Sequence, residues 1–248
     1  MKVALVAGGQ PRFTPEFRYL LNQLHGFDSA DLYMTLWRTD WAETPEQARA
    51  KIESILPANF KLAKVQIVDE PEHELPPHPN ELAPREPENV RWWYHRVMSQ
   101  LTSLTMAYDL IDQEYDAVVR FRLDGMLTEP LDMRTLPISN DSVIFPKSPK
   151  SGNNATDQFA IGSQESMRVY FSLSKEVKTM IPALDPMWYQ PAHHRGNWGP
   201  EQMLEDHLTN NNKKIVFGNF DHVFNMWGRS RFTDKHLHHR VVQDPTEQ

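Results

Sequence analysis

Four short segments hold residue types and spacings that could do chemistry. The first is Gly8-Gly9-Gln10-Pro11-Arg12. Glycines there let backbone N–H groups approach a phosphate or a base, and Arg12 can pair with a phosphate in bidentate geometry. A tight turn with a solvated arginine reads equally well. The second half of the GxGxxG fingerprint is missing, so a dinucleotide fold gains little support. The second segment is Arg120-Phe121-Arg122-Leu123-Asp124-Gly125. Strand alternation sends Arg120, Arg122 and Asp124 to one side, which is too charged to be simple core. Asp124 could hold a hard divalent cation, Mn²⁺ or Mg²⁺, whose shell substrate phosphates complete. The competing reading is an internal Arg–Asp ion pair that orders the strand end.

The third segment, Asp157-Gln158-Phe159-Ala160-Ile161-Gly162-Ser163, opens a short apolar strand with a carboxylate. Asp157 there suits a sugar-hydroxyl contact, a base, or only a turn or cap. The fourth is Gly199-Pro200-Glu201, where a glutamate in a first helical turn is favourably placed whether or not it does chemistry. Histidines at 193, 194, 222, 236, 238 and 239 add ligand capacity. An imidazole can complete a mixed Mn²⁺ shell, which makes His222 the candidate partner of Asp124. Trp188, Tyr189 and Trp198 could stack on a sugar face or simply pack.

The elements that must position these residues follow from hydrophobic periodicity. Val3 to Ala7 is a continuous apolar run closed by two glycines, the pattern of a central strand and a tight turn. Phe17, Leu20, Leu21 and Leu24 recur at helical spacing up to Gly26. Asp31–Trp37 reads as a strand, Pro45 opens a helix, and Lys64–Val68 reads as a third strand. Residues 69–88 are rich in proline and glutamate and read as a surface excursion. Asn89 can cap a long helix with Trp93, Val97, Leu101, Leu104, Tyr108 and Ile111 on one stripe, feeding a strand over 117–124. Ser142–Phe145, Phe159–Ile161 and Lys214–Gly218 are further strands. Helices carry Met167 to Ile181 and Met203 to Leu208, and residues 146–156, with Lys147, Lys150 and Gly152, read as a polar loop able to close over a ligand. Strands alternating with helices imply an α/β chain with a mainly parallel, Rossmann-like sheet.

Composition narrows the function classes. The chain has 248 residues, a formal net charge of -7 and no Lys/Arg-rich block, which disfavours nucleic-acid binding. Cysteine is absent, which excludes disulfides, thiolate metal sites and a cysteine nucleophile. The apolar run Val3–Ala7 is too short for a signal peptide or membrane span, no later stretch reaches spanning length, and a cytoplasmic location is expected.

Taken in order, Gly9-Gln10-Pro11-Arg12, the Val119–Gly125 strand end, Asp157–Ser163 and Pro200-Glu201 resemble the glycosyltransferases of the GT-A fold, most closely those of bacterial and viral polysaccharide and lipopolysaccharide synthesis. The resemblance spans nearly the whole chain. It implies one domain over 1–248, with a nucleotide-binding half over about 1–125 and an acceptor half over about 126–248. It also implies sugar transfer from a nucleotide-sugar donor to a glycan or other hydroxyl acceptor. Gly8, Gly9, Gln10, Arg12, Arg120, Arg122 and Asp124 would then lie by the nucleotide, Asp157 would contact donor or acceptor sugar, and Glu201 would be the base. In that family an Asp-x-Asp motif holds a divalent metal on the diphosphate. Here the motif reads Arg122-Leu123-Asp124, so Arg122 in the first acidic position could neutralise the diphosphate directly. A catalytically silent sugar- or nucleotide-binding module of the same fold is the alternative, and another α/β nucleotide or cofactor enzyme, such as a methyltransferase, is a third reading.

Overall fold

The fold is taken from a computed structural model that describes residues 1–11, 15–73, 88–147, 155–183 and 200–224. Arg12, Lys150, Gly152, the 188–198 aromatic and histidine group and the histidines at 236, 238 and 239 fall outside the described residues. The opening apolar run forms β1 (Lys2–Gly9), followed by α1 (Pro15–Gln23), a short β2 (Leu24–His25), β3 (Ser29–Trp37), α2 (Pro45–Glu53) and β4 (Phe60–Val68). Thr44 caps α2 through a reciprocal box with Gln47, which fixes the helix start ahead of Pro45. The long helix α3 (Glu88–Tyr108) leads to β5 (Ala117–Arg120), β6 (Gly125–Leu127) and β7 (Leu131–Asp132). Then come β8 (Ser142–Lys147), β9 (Ala160–Gly162), α4 (Gln164–Ala183), α5 (Pro200–Asn210) and β10 (Lys214–Phe224).

A single eight-stranded sheet runs β4-β3-β1-β5-β9-β8-β10-β6, with β2 and β7 paired apart from it. The β4-β3-β1-β5 stretch is parallel throughout, β8 and β10 are parallel, and β9 runs antiparallel to both of its neighbours. This is a mixed α/β architecture with a large, mostly parallel central sheet and helices on both faces.

Alternation in β1 assigns its side chains to those two faces. Val3, Leu5 and Ala7 join Phe17, Leu20 and Leu21 of α1 and Ala48 and Ile52 of α2 in one apolar cluster. Ala4 and Val6 point the other way, joining Met98 and Leu104 of α3, Met167 of α4 and Met203, Leu204 and Leu208 of α5. Helices packed on both faces are why β1 is apolar throughout, as parallel sheets require.

Several sequence-based boundaries move. The expected 117–124 strand stops at Arg120: Phe121 still donates to the Val6 carbonyl at 3.2 Å, and Gly125 N–H then closes a turn on the Arg122 carbonyl at 3.1 Å. Phe121 and Leu123 stay buried, Phe121 stacking on Phe17 at 6.0 Å, so their apolar character reflects core packing without a ladder. Asn89 lies inside α3, which begins at Glu88 and ends before Ile111. β10 continues past Gly218 to Phe224: after a register shift between Phe217 and Asp221 it pairs once more with β8 at Lys147, and His222 to Phe224 pair antiparallel with β6. Among the described residues no helix is long and apolar enough to cross a membrane.

Candidate active site

Strand order decides where a ligand can sit. From β1 the chain moves outward to β3 and β4 with α1 and α2 packed on one face, then returns through α3 on the other face to β5, on the opposite side of β1. The carboxyl ends of β1 and β5 therefore flank a topological switch point, where open α/β sheets leave a crevice. A cleft of about 260 Å³ opens there, lined by the β1 end (Gly8, Gly9, Gln10), by Trp37, by Arg96, Val97, Gln100 and Leu101 of α3, by Arg120, Arg122, Leu123 and Asp124, and by Asp157.

The two glycines do different work. A Cβ on Gly8 would lie 2.6 Å from the Ser103 carbonyl carbon and oxygen, so its bareness lets α3 press onto β1. Gly9 has φ +108°, a conformation L side chains avoid, and it turns the chain out of the sheet beside the Trp37 ring. Trp37 Nε1 donates to Ser103 Oγ at 2.7 Å, and Ser103 Oγ donates to the Ser99 carbonyl at 2.7 Å, which ties the end of β3 to α3. Gln10 also lines the cleft, as the sequence suggested.

Arg120, Arg122 and Asp124 converge as strand alternation predicted, although the strand itself ends at the first of them. Arg122 grips Asp124 with a two-pronged contact, Nε to Oδ1 at 2.7 Å and Nη2 to Oδ2 at 2.8 Å. Burial works to lower the Arg122 pKa, and the bonded Asp124 with nearby Asp157 outweighs it, leaving the guanidinium above its ordinary value. Arg120 is only 1% exposed. Its Nη1 donates to the Phe121 carbonyl, while its Nε finds no acceptor among the described residues. Burial pulls its pKa down, with Tyr170 and Asp157 opposing, and arginine stays charged under such a shift. An orphaned donor of this kind costs about 1–3 kcal/mol or more for a charged group, and an anion in the cleft would offset that cost.

Asp157 reaches the cleft because β9 is antiparallel. Arg120 pairs with Ala160 in that ladder, so the chain enters β9 at the carboxyl end of β5. Gln100 Nε2 donates to Asp157 Oδ2 at 2.8 Å. The approach to Asp157 is fixed by α5, whose Glu205 accepts from Ala155 N–H at 2.8 Å. Glu201 sits one turn earlier on α5 and is half-buried; it is not on the cleft wall. Burial raises its carboxyl pKa and Asp157 adds to the rise. The helix start and its backbone hydrogen bond act to lower that pKa, and desolvation outweighs them. Tyr170, with its phenol raised by burial, is the remaining ionisable neighbour of Arg120 and Asp157.

A divalent cation needs oxygen ligands with lone pairs turned to it. Both oxygens of Asp124 accept from Arg122, whose charge would repel a cation at the same place. His222 lies in β10 opposite Leu127 of β6, the strand that follows Asp124. Among the described residues, no group of three His, Asp or Glu side chains is set to hold an ion. Lys147, expected in a ligand-covering loop, ends β8 and donates to Asn219 at 3.2 Å. Trp37, Arg96 and Gln100 were missed by sequence reasoning. Their signal was slight: Arg96 and Gln100 stand four apart on α3, one turn along the same helix face.

Comparison with protein-family models and with curated protein sequences found no match for this chain.

Proposed function

We propose that the protein transfers a sugar from a nucleoside-diphosphate sugar to a hydroxyl acceptor. The observation that carries the reading is the pairing, in one cleft at the sheet's switch point, of two buried-side arginines with a carboxylate held by a glutamine. Transfer breaks the anomeric C–O bond to the diphosphate and forms a new one to the acceptor oxygen. Negative charge grows on the leaving diphosphate and the acceptor loses a proton, so cations must face one end of the substrate and a base the other. Arg120 and Arg122 supply the cationic side. On the carboxylate side Asp157 is favoured as the base, since it lines the cleft, and Glu201 stands behind it as the group whose proton affinity burial has raised. This reverses the order suggested by the sequence resemblance. No step is assigned to a metal.

Single-turnover transfer at saturating donor tests these roles. Asp157→Asn should lose the chemical step with donor affinity largely kept, while Glu201→Gln should retain measurable transfer. Transfer at the parental rate by Asp157→Asn would remove it as the base. The commitment of Asp124 to Arg122 favours a second reading, a catalytically silent binding module of the same architecture. In that case nucleotide-sugars bind and neither transfer nor donor hydrolysis occurs.

A further inference from the structure

We infer that the cleft binds the pyrophosphate group of its ligand through Arg120 and Arg122 without a divalent cation, and that Asp124 serves to orient Arg122. This deepens the sugar-transfer reading and rests on it only for the nature of the ligand.

Two independent features lead to it. The first is the Arg122–Asp124 fork. A planar guanidinium bound along one edge by a carboxylate is fixed in direction, and an arginine so fixed offers a phosphate a defined cationic face. The same fork engages both oxygens of Asp124 and holds a positive charge beside them, which opposes a divalent cation at that carboxylate. Arg122 lines the cleft and carries into it the positive charge that a metal ion would otherwise bring. The second feature is Arg120. It is the largest fully buried side chain, it lines the cleft, and its Nε has no acceptor among the described residues. A buried cation with an unmet N–H is stabilised by an anion and destabilised by a second cation. A divalent ion placed at Asp124 would add charge beside both guanidiniums, whereas a pyrophosphate brings negative charge and several acceptor oxygens to the same space. Asp157 also lines the cleft and acts electrostatically on both arginines, so the cleft is not uniformly positive, and an anion is favoured nearest the two guanidiniums.

The test is calorimetric and thermal-shift titration of the full chain with inorganic pyrophosphate and with uridine, guanosine, cytidine and adenosine diphosphates, in EDTA and again in Mn²⁺. At least one nucleoside diphosphate should bind more tightly than pyrophosphate, with equal affinity in the two buffers. Arg122→Gln should weaken pyrophosphate about ten- to hundredfold, as expected for loss of a charged hydrogen-bonding partner. Arg122→Lys should fall between Gln and the parent, with circular dichroism confirming that all variants fold. Asp124→Asn should still bind in EDTA, within about tenfold of the parent, because the two arginine charges remain. Binding that appears only with Mn²⁺ and vanishes in Asp124→Asn overturns the inference and leaves the sugar-transfer reading standing. Metal-independent pyrophosphate binding with no gain for any nucleoside diphosphate supports the arginine site and removes the nucleotide-sugar reading. If no probe binds in either buffer, both fall.

Discussion

Replacing Gly8 with alanine isolates the contact that holds α3 against β1. The new methyl would stand 2.6 Å from both the carbonyl carbon and oxygen of Ser103 and 2.8 Å from the Leu104 nitrogen. All three are backbone atoms of α3, so no side-chain rotation relieves the overlap and the helix itself must move. Overpacking of this kind costs about 1–3 kcal/mol. For a chain of this length each kcal/mol lowers the melting temperature by roughly 2–4 °C, so a loss of about 2–12 °C is expected. The displacement should also be felt at the ligand, because α3 carries Arg96 and Gln100 to the cleft and Gln100 holds Asp157. Thermal denaturation followed by circular dichroism reads the first effect and pyrophosphate affinity reads the second. Adding Ser103→Ala to Gly8→Ala should give no rescue, since the clash is with backbone. The neighbouring Gly9→Ala fails for another reason: its Cβ would meet only Trp37 at 3.8 Å, an ordinary contact, while its φ of +108° costs an L residue about 1–2 kcal/mol. If Gly8→Ala melts with the parent and binds pyrophosphate equally well, the close approach of α3 to β1 is not what the glycine provides.

Three further substitutions test the surroundings of the site. Glu201 has a carboxyl pKa raised in the folded state, so folding favours its protonated form; that contribution is complete below the ordinary carboxylate value and is lost as pH rises through the raised one. Glu201→Gln should therefore be more stable than the parent at neutral pH, with the gain shrinking to nothing as the pH falls below about 4, in urea titrations across that range. Trp37→Phe removes the indole N–H that reaches Ser103 Oγ and should cost about 0.5–1.5 kcal/mol in urea denaturation; an unchanged midpoint would mean the bond contributes nothing. His207 is buried between α4 and α5, its Nδ1 2.9 Å from a Glu176 oxygen and its Nε2 2.7 Å from the Val169 carbonyl. His207→Leu should lose about 1–3 kcal/mol through loss of its two hydrogen bonds, to Glu176 and to the Val169 carbonyl that also accepts from Ser172 Oγ, and hydrogen exchange should rise along α5; protection equal to the parent would refute the link.

Periodicity alone determined much of this molecule. The alternating faces of β1, the helical spacing of Phe17, Leu20 and Leu21, and the glycines that close β1 are local features, and each led to the element the structure contains. The chemistry-bearing triplet Arg120, Arg122 and Asp124 was legible for the same reason: a charged run at the end of an apolar strand cannot be buried without a purpose or a partner. Its internal arrangement was not legible. Spacing slightly favoured an ion pair over a metal site without deciding between them, and the turn at Gly125, which carries Asp124 back toward Arg122, made the pair. Trp37 and Ser103, or Gln100 and Asp157, lie 66 and 57 residues apart, and whether they meet depends on strand order. The antiparallel insertion of β9 beside β5 was not predictable from a short apolar run, yet it is what brings Asp157 to the arginines. For Glu201, the helix start visible in the sequence acts to lower the carboxyl pKa. Burial, with Asp157 adding to it, raises that pKa instead, because desolvation depends on the whole packed structure, whereas a helix end acts over a single turn.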